Sequence, residues 1–200
     1  MLAGLRERDP DNATIVVFWS DHGFHLGEHG LISKTVPFRE VLEAPLCLRA
    51  PGFEPGARRS LVQMLDVFPT LCELAKVPEP AGLDGRSLVP ALSREERIRE
   101  ATYSEFIGLW GAIRTPAWKL VLGHRSATGF DQLYDLVNDP GETRNCFADA
   151  ARGPVVEELV SRMEALLRAS PPDWVDAGTW LGDRSGIEAV RWVLGQIETM

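Results

Sequence analysis

A chain of 200 residues with 44% hydrophobic, 25% charged and 8% aromatic residues is long enough to bury a core, and its composition lies outside the disordered, collagen-like and membrane classes. Its 21 basic and 29 acidic residues leave a net charge of -8, which speaks against a broad nucleic-acid or anionic-membrane footprint. No run approaches the roughly 18 apolar residues of a bilayer span, so no membrane span is expected. The three cysteines, Cys47, Cys72 and Cys146, share no CxxC spacing; an odd, sparse count reads as buried free thiols, not as a disulfide framework or a zinc knuckle. The start, Met1-Leu-Ala-Gly-Leu-Arg-Glu-Arg-Asp9, lacks the basic and apolar regions of a signal peptide.

Residues Leu2 to Arg8 read as the end of an amphipathic helix, stopped by the turn cluster Asp9-Pro10-Asp11-Asn12. Thr14-Ile-Val-Val-Phe-Trp19 is a continuous β-branched and aromatic run, the pattern of a strand covered on both faces in a parallel sheet. It ends in Ser20-Asp21-His22-Gly23, at the carboxyl end of a strand, where ligands gather in open α/β sheets. After a Gly-rich loop, Ala44 to Ala50 reads as a second strand closed by Pro51-Gly52. Asp66 is placed to cap a helix with Pro69 in its first turn and Leu71, Cys72 and Ala75 toward the core, ended by Pro78 and Pro80. The turn-rich stretch Glu79 to Ser87 and the charged run Arg94 to Glu100, read as a solvated linker or helix surface, suggest a boundary between 1–98 and 99–200.

Beyond that boundary, Ala101 to Ile107, Gly111 to Thr115, Trp118 to Leu122 and Gln132 to Leu136 are short strand candidates for a small antiparallel sheet. Pro154 and the stripe Val155, Val156, Leu159, Val160, Met163, Leu166 and Leu167 define an amphipathic helix that should cover one face of it. The stretch Asp173 to Met200 carries Trp174, Trp180 and Trp192 and a helical pattern from Gly186 to Ile197, with no role attached.

The run Ser20 to Gly30 holds three of the four histidines. Asp21 and His22 offer a carboxylate oxygen and an imidazole nitrogen side by side, a pair that suits Ca²⁺, Mn²⁺ or Zn²⁺. Two ligands do not complete a site, and no second Asp-Asp or Asp-Asn cluster stands at a comparable strand end, so turn and capping roles remain open. His124 is isolated and expected to be exposed.

Several separated motifs then agree in order and spacing: Thr14 to Gly23, Leu26-Gly-Glu-His-Gly30, Lys34, Pro45-Leu46, Pro51-Gly52, Leu65-Asp-Val-Phe-Pro-Thr-Leu71, Gly82-Leu-Asp-Gly-Arg-Ser-Leu88, Ala112-Ile-Arg-Thr115, Trp118-Lys-Leu120, Leu133-Tyr-Asp-Leu136, Asp139-Pro-Gly-Glu142 and Asn145. Over roughly Leu2 to Leu167 the chain resembles the sulfatase family of the alkaline phosphatase superfamily, with an iduronate-2-sulfatase-like flavour because His follows the metal-binding Asp. The resemblance implies an α/β fold: the carboxyl-terminal part of an alkaline-phosphatase-like α/β sandwich, 1–98, followed by a small antiparallel sheet plus helix subdomain, 99–200. It makes Asp21 and His22 half of a metal site, usually calcium, with manganese as the other candidate, and Lys34 the lysine that contacts the sulfate. A cation and an ammonium suit sulfate-ester cleavage, which builds negative charge on sulfuryl and leaving oxygens. His25 is a weaker candidate for substrate contact, with a core or hydrogen-bonded role as its alternative, as for His29; Glu28 reads as a loop carboxylate.

Sulfatases take their formylglycine nucleophile from the Cys of a Cys-x-Pro-Ser-Arg motif. None of the three cysteines has that context: Cys47 is followed by Leu-Arg-Ala, Cys72 by Glu-Leu-Ala and Cys146 by Phe-Ala-Asp. The family's early Asp pair and its upstream Lys and His are also absent, so the chain reads as a carboxyl-terminal portion, inactive alone, with the formylglycine in the missing amino-terminal part. Three functions follow: a share of a sulfuric ester hydrolase acting on a sugar or aryl sulfate; a phosphodiesterase or phosphonate monoester hydrolase of the same superfamily; or a non-catalytic remnant or binding subunit. A truncated sheet would also expose an apolar face and an unpaired edge, which favours self-association. The compartment stays open.

Overall fold

The computed structural model describes residues 2–9, 12–94, 96–106, 109–123 and 130–169. The helix expected from Gly186 to Ile197, the three tryptophans of that stretch and His124 lie outside them. Backbone contacts group the described residues of Met1–Gly23 and Glu43–Glu100 into one unit, and those of Phe24–Leu42 and Ala101–Met200 into another.

In the first unit, helix α1 (Leu2–Arg8) leads through a turn to strand β1 (Val16–Trp19). The Asp9 carboxylate makes that turn, accepting from the backbone N–H groups of Ala13 (2.7 Å) and Thr14 (3.1 Å), while Arg49 Nη2 pairs with it at 2.9 Å. Among the described residues strand β1 pairs antiparallel with Leu46–Arg49, with Val16 opposite Arg49 and Trp19 opposite Leu46, and the parallel neighbour expected for it is not among them. Strand β1 is not covered on both faces, since Phe18 is 64% and Trp19 49% exposed. A continuous apolar run announces burial in some sheet but carries no information about the direction of its partner.

Helix α3 (Val67–Ala75), the third after α1 and the short α2 (Arg39–Leu42) of the other unit, buries Val67, Pro69, Thr70 and Cys72. Ala75 is exposed, as is Cys47, so the buried-thiol reading holds for Cys72 alone. Asp66 makes no side-chain cap to α3. Its carboxylate is fully buried and accepts from Gln63 N (2.7 Å), Arg86 N (2.9 Å) and both terminal nitrogens of Arg99. The run Arg94 to Glu100 is therefore no simple solvated linker, because Arg99 is drawn inside as the counter-charge of Asp66. Gly85 belongs to the same cluster: a Cβ there would lie 2.1 Å from the Leu65 carbonyl oxygen, so only glycine fits. Helix α4 (Val89–Arg94) follows.

The second unit is a meander. Labelling Leu46–Arg49 as β4, after β2 (His25–Leu26) and β3 (Ile32–Ser33), strands β5 (Thr102–Phe106), β6 (Trp110–Arg114), β7 (Trp118–Gly123) and β8 (Gln132–Asp135) pair antiparallel in sequence order. Alternation divides their side chains cleanly. Ile113, Leu120, Leu122 and Leu133 face helix α5 (Gly153–Ala169), whose Val156, Leu159, Val160, Met163 and Leu167 complete a buried cluster. Trp110, Ala112 and Val121 point the other way and pack against Leu42 and Phe130. The segment Phe24–Leu42, expected with the first part of the chain, thus supplies cover for the second face of this sheet. Its attachment runs through side chain to backbone bonds that leave no periodic signature.

Candidate active site

Asp21 and His22 stand just beyond the end of β1, held by local bonds. Ser20 Oγ donates to the His22 carbonyl at 2.7 Å, and His22 N donates to Asp21 Oδ1 at 2.9 Å. That backbone bond, foremost, holds the Asp21 carboxyl below the usual carboxylate range, with His22 adding a favourable charge. His22 Nδ1 lies 2.7 Å from the Gly23 carbonyl oxygen. A carbonyl only accepts, so Nδ1 carries the proton, and the other ring nitrogen, Nε2, faces Asp21 Oδ2 at 3.3 Å.

Nε2 and Oδ2 so placed can be bridged by a bound cation. A histidine that donates one ring N–H to a backbone carbonyl is oriented as metal-ligating histidines are. The pair fits a divalent cation, and the Asp21 side chain is 81% exposed, open to further ligands. Among the described residues no group of three or more His, Cys, Asp or Glu could hold an ion, so the pair is a partial donor set.

The other candidates lie in the second unit. A loop between β2 and β3, with φ of 133° at Gly27, 54° at His29 and 71° at Gly30, turns the chain back so that His25 faces Ser33 across the pair. Glu28 shapes this loop by accepting from Leu26 N at 2.7 Å, the bond that chiefly lowers its own pKa. His29 stacks on Phe38 (centroids 3.9 Å apart, 12° between planes), and its Nε2 lies 3.3 Å from Glu40 Oε2. His25 is fully buried, edge-on to His29 and Phe38, and neither of its ring nitrogens makes a hydrogen bond among the described residues. Lys34, immediately after β3, is exposed. The structure thus brings Asp21 and His22 together, and puts Lys34 and His25 on the strap 24–42.

Sequence reasoning missed the groups that anchor this strap. Lys119 and Glu142, each 1% exposed at the side chain, form a buried ion pair, and Lys119 also lies over the rings of Phe38 and Tyr134. The available signal was a lysine set among the apolar Trp118, Leu120, Val121 and Leu122 of one strand.

The family model of the carboxyl-terminal region of N-sulphoglucosamine sulphohydrolase matches residues 27–169. This chain therefore belongs to the sulfatase family. Choline-sulfatase of Rhizobium meliloti is 38% identical over 153 residues, 71% of this chain and 28% of that protein. Among solved structures, one in complex with its substrate D-glucosamine-2-N,6-O-disulfate superposes with a TM-score of 0.74 at 28% identity, covering 86% of this chain and 38% of the other. The phosphonate monoester hydrolase of Agrobacterium radiobacter superposes with a TM-score of 0.72 at 28% identity, with the same two coverages. The fold is accordingly α/β of the alkaline-phosphatase-like kind. The chain spans about a third of the length of the curated relatives it matches.

Proposed function

We propose that this chain supplies the carboxyl-terminal share of a sulfuric ester hydrolase acting on a sulfated sugar or aryl sulfate, with Asp21 and His22 as half of its metal site and Lys34 as its sulfate contact. The observation that carries the reading is the commitment of His22 Nδ1 to the Gly23 carbonyl, which turns Nε2 toward Asp21 Oδ2 at 3.3 Å. A calcium ion bound there, or manganese in its place, would supply charge stabilisation for the sulfuryl oxygens. Asp21 and His22 orient lone pairs for it, and Lys34 offers an ammonium to the anionic ester. The iduronate-2-sulfatase-like flavour rests on His22 alone, and the division into a catalytic-domain part, 1–98, and a subdomain, 99–200, belongs to the same proposal. A phosphonate monoester or phosphodiester substrate is the second reading, supported by the likeness to phosphonate monoester hydrolases. His25 is left in the core in this reading. The exposed Phe18 and Trp19 on a two-stranded sheet support self-association of the chain through that face.

Titrating the chain with calcium or manganese while following the His22 ring by NMR tests the metal half. The expected result is a saturable response, lost in Asp21→Asn. A response to neither ion, or one indifferent to Asp21, would overturn it.

A further inference from the structure

Beyond Lys34, the backbone of Thr35, Pro37 and Arg39 is held by side chains from three parts of the four-stranded unit. Trp110 Nε1, on β6, donates to the Thr35 carbonyl at 2.7 Å. Lys119 Nζ, on β7, donates to the Pro37 carbonyl at 2.5 Å. Glu142 Oε2, in the turn after β8, accepts from Arg39 N at 3.0 Å, and Arg39 Nη1 donates to the carbonyl of Pro140 at 2.9 Å in that same turn. The held positions 35, 37 and 39 lie in an irregular stretch that bends at 36 and 38 and enters α2 at Arg39, so these side chains supply the backbone partners that a regular ladder does not provide there.

We propose that Trp110, Lys119 and Glu142 are positioning residues that fix the backbone from which Lys34 is presented; the proposal rests on Lys34 being an anion contact. Stability alone does not account for them. A buried Lys–Glu pair is commonly replaceable by apolar residues of equal volume at no loss, so its presence in the core points to geometry. Here both members of the pair spend hydrogen bonds on the strap backbone: Lys119 on Pro37 and Glu142 on Arg39. The Trp110 indole takes hold one residue after Lys34, through the carbonyl that ends the Lys34–Thr35 unit. A charged group that must meet an anion loses much of its effect when its support loosens by about an ångström.

The test uses the 200-residue chain, sodium sulfate as the probe at constant ionic strength, and a temperature well below unfolding. Trp110→Phe keeps a ring in the slot and removes the N–H; Glu142→Gln keeps an acceptor for Arg39 N and removes the charge. Sulfate affinity is read from the Lys34 amide shift, and strap order from amide exchange at residues 33–36. The expected result for Trp110→Phe is sulfate binding weakened about threefold to tenfold, with faster exchange at 33–36 and unchanged exchange in α5 around Leu159 to Met163. A merely structural role would lower the melting temperature and leave the sulfate affinity of the folded chain unmoved, which would overturn the proposal. Lys34→Met separates the underlying reading. If it leaves sulfate binding intact, or if the parent chain binds none, Lys34 is no anion contact and the positioning proposal falls with that reading, whatever the exchange shows. If sulfate binding depends on Lys34, unchanged affinity and exchange in both Trp110→Phe and Glu142→Gln overturn the positioning proposal alone.

Discussion

The four-stranded sheet and the ribbon of β1 with β4 solve the same problem with opposite success. The sheet β5–β8 is covered on one face by α5 and on the other by the strap 24–42, and Ile113, Leu120, Val121 and Leu133 have no exposure at all. The ribbon β1–β4 has two strands, and its Phe18 and Trp19 remain largely open. The open ribbon, VVFW with LCLR, is the more apolar of the two, so apolar content does not decide burial; the number of partners supplied around a strand does. Of the charged pairs, Lys119–Glu142 lies inside the covered unit, whereas Asp21–His22 stands at the end of the open ribbon with the Asp21 side chain exposed.

That contrast can be broken in several places. Lys119→Met leaves Glu142 buried without its counter-charge and should cost about 3–5 kcal/mol in denaturant unfolding, whereas adding Glu142→Leu should return most of that loss. If the single variant unfolds like the parent, the pair is not as buried as described. Met163→Ala, which opens a cavity between α5 and the sheet, should cost about 2–5 kcal/mol. Phe18→Ser on the open ribbon should cost under about 0.5 kcal/mol and shift sedimentation toward monomer. Equal costs at Met163 and Phe18 would mean that the ribbon and the four-stranded sheet are equally well covered.

The smallest effect concerns Glu105 on β5. Burial holds its carboxyl above the usual range, against a hydrogen bond from the Tyr103 hydroxyl at 2.9 Å that pulls it down. A raised folded pKa gives a stabilisation that is complete below the unfolded value and lost as pH rises through the folded one. Stability of the parent relative to Glu105→Gln should therefore decline as pH climbs from the ordinary carboxylate range, by less than about 1 kcal/mol because the group is half in solvent. A flat difference across that range would remove Glu105 from the account.

What could be read from the residues was whatever carries a period or a local motif. The stripe from Val155 to Leu167 specified α5, with only Leu166 left at the surface, and the four short strands fell within a residue or two of their expected places. Non-local partners were not legible. Nothing in Thr14 to Trp19 names β4 as an antiparallel neighbour, and nothing near Asp66 names Arg99, 33 positions away, in place of a helix cap. The Asp21–His22 pair stood out because both residues sit at a strand end in one tripeptide. The grip on the strap did not, because Trp110, Lys119 and Glu142 meet Thr35, Pro37 and Arg39 only after the sheet has formed.

The most direct test of the functional reading is turnover. The longest reading frame containing this chain, assayed beside the chain itself on an aryl sulfate and on an aryl phosphonate monoester with calcium or manganese present, should cleave the sulfate in preference. That activity should be lost in Asp21→Ala and in Lys34→Ala. Preference for the phosphonate would move the chain to the second reading, and sulfate turnover indifferent to Asp21 and Lys34 would contradict the roles assigned to them.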